Sequence, residues 1–225
     1  MAREIHDHFF REAQREGYRS RAAYKLIEID DRKRVLKPGD RVLDAGAAPG
    51  SWMQVASQRI GSKGHVVGVD LKPIEMLNNC DAAITIVQAD LRTVDRHDLI
   101  TPIAPALQFD VILSDMAPGT TGDPRSDHFR SADLCELLLG RASELLRRGG
   151  NFVMKIFEGE RFPELLAQMR EMFDAARAFK PKASRSESVE MYLIGKGYRP
   201  QVSDAQEDQS TRPTAGPRPR LKAGW

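Results

Sequence analysis

The chain has 225 residues, 41% hydrophobic and 29% charged, which excludes a collagenous or wholly disordered protein and suffices for a substantial core. Its 34 Lys and Arg against 32 Asp and Glu leave a net charge of +2, so bulk charge alone selects no polyanionic partner. No stretch approaches the roughly 18 apolar residues of a membrane span, the N-terminal MAREIHDHFFREAQREG holds no secretory apolar core, and Cys80 and Cys135 have neither disulfide-framework nor metal spacing, so a reducing cytoplasmic setting without membrane or metal is expected.

Residues 1–18 read as a charged extension, frayed or loosely helical. One domain is expected over 19–200, and 201–225, with three prolines and few aliphatic residues, reads as a disordered tail. Within the domain, Ser20 can cap a helix whose apolar stripe runs through Ala22, Ala23, Leu26, Ile27 and Ile29. Strands follow at 41–44, 65–70, 83–88, 109–114 and 151–157. Helices are expected from Ser51, along the leucine stripe Leu134–Leu146 up to Gly149-Gly150, and over 163–173. Two last strands fall near Ala178 and at 189–195. Such alternation predicts an α/β fold, Rossmann-like, with a mostly parallel seven-stranded sheet and helices on both faces.

Polar residues gather where the strands should end: Asp44, Asp70, Asp90 and Asp115 follow strands one to four, and Lys155 and Glu158 lie near the end of strand five. In an open parallel sheet ligands bind outside the carboxyl ends, at the reversal of strand order. The first loop, DAGAAPGSW, puts Ala48 and Ser51 at the second and third glycine positions of a dinucleotide fingerprint, and Pro49 lacks an N–H. The loop is therefore poorly made for a pyrophosphate. Asp70 can take two ribose hydroxyls and Asp90 an adenine amine, which together suit an adenosyl ligand without phosphate, S-adenosylmethionine. Trp52 could pack near that ligand or fill the core. Lys155 interrupts the apolar run of strand five, where a charge without a purpose is rare.

Several short stretches, in order, resemble the FtsJ (RrmJ) family of ribosomal RNA large-subunit ribose 2'-O-methyltransferases: RSRAAYKL from Arg19, DAGAAPGSW from Asp44, VDL at 69–71, QAD at 88–90, SDMAP from Ser114, MKIFEG from Met154, and SRSESVEMY from Ser184. They span about 19–198. The resemblance implies a methyltransferase catalytic domain over 19–200, S-adenosylmethionine as cofactor, and a catalytic tetrad of Lys25, Asp115, Lys155 and Glu190. It also implies cofactor contacts at Gly50, Trp52, Asp70, Asp90 and Asp115. The sequence departs from the family pattern at Ser51 and Gly119, and its segment between Asp70 and Asp90 is longer.

A ribose hydroxyl is a weak nucleophile, so a group must take its proton or stabilise the forming alkoxide. Lys155 is the candidate for either role, with Lys25, Asp115 and Glu190 setting its charge and position. Arg19, Arg21, Lys182 and Arg185 flank the tetrad segments and are expected to contact RNA phosphates. The expected substrate is a uridine of the large-subunit ribosomal RNA, in the assembled subunit or free, and a monomer is expected. Alternatives are a tRNA ribose methyltransferase, a non-enzymatic ribosome assembly factor, and an NAD(P) oxidoreductase, which Ala48 and the missing Tyr-x-x-x-Lys disfavour.

Overall fold

The computed structural model describes residues 2–78, 80–184 and 189–200. Seven strands form one sheet: β1 (Arg41–Ala45), β2 (His65–Asp70), β3 (Ala83–Gln88), β4 (Phe109–Ser114), β5 (Leu146–Phe157), β6 (Phe173–Phe179) and β7 (Glu190–Tyr198). Their order is β3-β2-β1-β4-β5-β7-β6. Strands β1 to β5 pair in parallel, while β7 runs antiparallel to both β5 and β6. The expected α/β class and the mostly parallel seven-stranded sheet are both present.

The helices are α1 (Ala2–Arg15), α2 (Ala23–Lys33), α3 (Ser51–Ile60), α4 (Arg96–Ile100), α5 (Pro124–Gly140), α6 (Ala142–Leu145) and α7 (Phe162–Met172). Two cores result, one on each face of the sheet. Ala23, Leu26 and Ile29 of α2 and Trp52, Met53 and Val55 of α3 pack with Val42, Val66, Val111 and Val153. Cys135, Leu138 and Leu139 of α5 and Leu165 and Met169 of α7 pack with Leu43, Val67, Ile112 and Phe152. The alternation of these strand residues between the two cores is the period of two that a pleated strand imposes.

Four details differ from the sequence expectation. Residues Ala2–Arg15 form a regular helix, whose Ala13 is buried and whose Phe9 ring lies 5.5 Å from that of Tyr24. The residue before α2 is Ala22, without a side-chain cap; the Ser20 hydroxyl accepts from Ala22 N–H at 3.2 Å and lies 2.8 Å from the Ser51 hydroxyl. Ser20 thus joins α2 to the first loop instead of capping. Helix α5 begins at Pro124, capped by Asp123, whose carboxylate accepts from Ser126 N–H. Strand β5 starts at Leu146, so Gly149-Gly150 lies inside it, where its register with β4 shifts. Asp110 anchors that early part by accepting from the Arg147 guanidinium.

Candidate active site

Strand order reverses between β1 and β4, and the loops leaving their carboxyl ends diverge there. A cleft of about 330 Å³ opens at this edge. Its walls are Gly46 and Ala48 of the first loop, Asp70 to Lys72 after β2, Ala89 to Arg92 after β3, and Asp115 to Ala117 after β4, with Leu134 and Leu137 of α5. A side chain at Gly46 would put its Cβ 2.3 Å from Met116 Cγ, at a φ of +78°. Glycine is required for the first loop to approach the β4 loop this closely.

The carboxylates expected at the cofactor are arranged with acceptor capacity to spare. Ala48 N–H donates to Asp70 Oδ2 at 2.9 Å, and Lys72 N–H donates to Asp70 Oδ1 at 2.8 Å. Each oxygen keeps a second lone pair for a ligand hydroxyl. Asp90 Oδ1 accepts from Arg92 N–H at 2.9 Å and has the same spare capacity. Both residues line the cleft.

Gly50 and Trp52 are placed differently. Gly50 opens α3 at φ 106° and sits beneath the 74–77 segment, where a Cβ would meet Leu77 Cδ2 at 3.0 Å. The Trp52 side chain does not line the cleft: it is buried, donates its indole N–H to Ala22 O at 2.8 Å and stacks on Tyr192 with ring centroids 5.7 Å apart. Its indole takes the core role that the sequence left open.

The tetrad residues form two short ion pairs. Lys25 Nζ lies 2.7 Å from Glu190 Oε2. Lys155 Nζ lies 2.9 Å from Asp115 Oδ1 and donates to the Asp115 carbonyl at 2.5 Å. Lys25 and Lys155 are both buried. The antiparallel register sets the second half of the group: Lys155 faces Tyr192, and two residues on Phe157 faces Glu190. Tyr192 donates its hydroxyl to Asp115 Oδ1 at 2.7 Å. Burial pushes the Asp115 carboxyl up, but Lys155, Lys25 and the Tyr192 hydroxyl together hold it below its ordinary value. Burial, and then the Asp115 charge, drive the Tyr192 phenol well above its own. Asp115 is therefore an anion and Tyr192 a neutral donor at neutral pH.

Asp44, which the sequence placed among the strand-end carboxylates without assigning it a role, is the odd group. It is fully buried, and among the described residues neither carboxylate oxygen has a hydrogen-bond partner. Burial, then Asp115, then Asp70 raise its carboxyl well above the ordinary value. A buried carboxyl without a partner among the described residues, with two more carboxyls within electrostatic reach of it, fits a ligand that carries positive charge. A sulfonium or an α-ammonium meets that requirement, and a phosphate does not.

The four basic residues expected at RNA have unlike surroundings. Arg19 spends its guanidinium on three backbone carbonyls, Pro49, Glu75 and Met76, each at 2.8 Å. Arg21 is half-buried, near enough to Tyr192 for its charge to act on that phenol. Lys182 has an exposed side chain, and its N–H donates to Glu28 Oε2 at 2.7 Å. Arg185 lies outside the described residues. Among the described residues no group of three or more His, Cys, Asp or Glu is arranged to hold a metal, and no helix is long and apolar enough to cross a membrane.

The profile of one protein family, described as FtsJ-like methyltransferase, matches residues 18–198. The chain belongs to the FtsJ-like methyltransferase family. Among its relatives is a ribosomal RNA large subunit methyltransferase E from Acinetobacter baumannii, 42% identical over 197 residues, covering 88% of this chain and 89% of the relative. A protein of the same description from Neisseria gonorrhoeae is 42% identical over 195 residues, covering 87% of this chain and 93% of the other. A crystal structure of a Plasmodium falciparum protein described as a ribosomal RNA methyltransferase superposes with a TM-score of 0.71 at 29% identity, covering 82% of this chain and all of that one. As a member of the FtsJ-like methyltransferases, the chain is an enzyme of methyl transfer, and its fold is the fold of that family.

Proposed function

We propose that this methyltransferase moves the methyl group of S-adenosylmethionine to a ribose 2'-hydroxyl of large-subunit ribosomal RNA, at a uridine. The observation that carries the reading is Asp44, buried and unpartnered among the described residues, within electrostatic reach of Asp70 and Asp115, two carboxylates that line a cleft whose first loop has little phosphate-binding capacity. Asp70 and Asp90 would hold the ribose hydroxyls and the adenine amine, and Asp44 and Asp115 would offset the cofactor's positive charge. When bound, S-adenosylmethionine supplies a methyl group activated by a sulfonium. The named relatives from Acinetobacter and Neisseria supply the substrate part of the proposal.

Lys155 is the residue assigned to the ribose oxygen. Its Nζ already donates to the carbonyl and the carboxylate of Asp115. One tetrahedral position of the nitrogen remains. That position presents an N–H to the developing alkoxide while the hydroxyl proton leaves to water. Tyr192 and Lys25 position this centre: the phenol fixes Asp115 Oδ1, and Lys25 is itself held by Glu190. Arg21, Lys182 and Arg185 are proposed to meet RNA phosphates, in a cytoplasmic monomer.

The test is transfer of labelled methyl from S-adenosylmethionine to large ribosomal subunits, purified ribosomal RNA and tRNA, all taken from cells that lack the modification. Label on the large subunit or its RNA supports the proposal and shows which state is methylated. Label on tRNA alone moves the substrate, and no label despite cofactor binding favours an assembly factor.

A further inference from the structure

Arg19 stands among the cationic residues that its sequence position offers to RNA, yet its donors face inward. Nη1 donates to the Pro49 and Glu75 carbonyls and Nη2 to the Met76 carbonyl, each at 2.8 Å. Pro49 belongs to the first loop, whose Ala48 N–H is held by Asp70. Glu75 and Met76 belong to the irregular segment after β2, which covers that loop: Leu77 and Ile74 close over Gly50. Residues 73–78 belong to no helix or strand, and Met76 is 71% exposed. Meanwhile Arg19 N–H donates to Gln54 Oε1 at 2.9 Å on α3, and Gln54 Nε2 donates to Gly17 O at 2.9 Å. The guanidinium is thus rooted in the chain that leads into α2, the helix carrying Lys25.

We propose that Arg19 is a positioning residue for the cofactor, a clamp that fastens the 73–78 segment onto the 46–50 loop and ties both to the helix bearing Lys25. A planar fork suits this task. It reaches three carbonyls on two separate segments at once, whereas a lysine ammonium on a flexible stem would hold one or two without fixing their mutual angle. With the fork in place Asp70 and Ala48 stay registered, so the ribose acceptors are set before the ligand arrives, and less ordering remains to be done on binding. The clamp rests on the assignment of S-adenosylmethionine to this cleft, but its effect on the free protein does not.

The experiment compares the full chain with R19K and R19A. Amide hydrogen exchange of the free protein is expected to speed up in both variants at Gly46, Ala47, Ala48 and Gly50, whose N–H groups are hydrogen-bonded in the first loop, with the rest of the sheet unchanged. Calorimetry with S-adenosylmethionine is expected to show about tenfold weaker binding in both, because charge alone does not restore the fork. In turnover, KM for the cofactor should rise by the same factor while kcat stays within about twofold, and RNA affinity and its salt dependence should stay put. If R19A is too unstable to handle, R19K carries the comparison by itself. Unchanged exchange and cofactor affinity, with RNA affinity lowered in R19A and restored in R19K, would overturn the clamp and make Arg19 a phosphate contact. If the unaltered chain bound no S-adenosylmethionine, the functional assignment would fail, and the exchange at Gly46, Ala47, Ala48 and Gly50 would still decide the clamp.

Discussion

Two aspartates are buried at opposite ends of the same pair of strands, and their surroundings could hardly differ more. Asp110, at the start of β4, accepts from Arg41 N–H at 2.8 Å and from both sides of the Arg41 guanidinium at 2.6 and 3.0 Å, and also from Arg147. Burial pushes its carboxyl up, but these donors outweigh burial and hold it below its ordinary value. Asp44, near the end of β1, has no partner on either oxygen among the described residues and is driven the other way by burial, Asp115 and Asp70. A buried polar group is normally satisfied, and one left unsatisfied marks a place where stability gives way to function. The amino end of the sheet is finished; the carboxyl end is left open for something cationic.

The contrast can be broken most severely at Lys155. Lys155→Ala should lower kcat by about a thousandfold, the scale of losing one oriented charge at a reacting oxygen. S-adenosylmethionine affinity measured by calorimetry should change little. At the other end, Asp110→Ala should leave turnover almost untouched but destabilise the fold by about 2 kcal/mol, because Arg41 and Arg147 lose a shared partner and both are only partly buried. Denaturant titration checks that value. Its pH dependence has a definite sign: the Asp110 carboxyl is depressed, so its stabilisation is present above the ordinary 3.8 and is lost as pH falls through the lower folded value.

Asp44→Asn sharpens the comparison from the opposite side. The Asp44 carboxyl is raised, so the unbound fold is favoured below 3.8 and loses that advantage as pH rises toward the folded value. Replacing the titrating carboxyl with an amide removes that pH-dependent loss and should leave stability at neutral pH equal or higher by about 1 kcal/mol. Cofactor affinity should fall about tenfold, or roughly 1.4 kcal/mol. Stability and binding moving in opposite directions is the signature sought. The smallest effect is expected at Lys182→Ala, which should reduce the salt slope of RNA binding by about one without altering cofactor affinity.

Much of this arrangement was legible in the sequence because buried parallel strands read as unbroken apolar runs. HVVGVD and FDVILS could be placed as β2 and β4 to the residue. The carboxylates at their ends followed, since a ligand edge is the one place where several strands stop on acids. Less legible were elements with no period to count. The five residues of α4 are too few for a stripe and are set by Asp95, whose Oδ1 accepts from His97 N–H. The start of α5 was written in Asp123-Pro124, a cap followed by a first-turn proline, but its exposed first turn carries no apolar stripe. The start of β5 is hidden because Gly149-Gly150 looks like a boundary, whereas the chain is already in the sheet from Leu146, with Arg147 paired to Asp110.

The same division runs through the site. Lys155 is visible as a charge out of keeping with its apolar strand and Asp115 as a strand-end carboxylate, whereas Lys25 and Glu190 stand out only through the family resemblance; the fold gathers the four into two ion pairs. The direction in which a side chain points was not visible. Trp52 and Arg19 both turn inward, one onto Tyr192 and the other onto three carbonyls. A sequence shows that Arg19 carries charge, but only the packed chain shows where that charge is used.

The account is tested most directly by locating the methyl group. Large ribosomal subunits lacking the modification would be incubated with labelled S-adenosylmethionine and either the unaltered chain or Lys155→Ala, and the RNA digested to nucleosides. The expected result is label in 2'-O-methyluridine with the unaltered chain and almost none with the variant, although both bind the cofactor. Label on a base, or equal label from the variant, would contradict the assignment of this edge of the sheet to ribose methylation through Lys155.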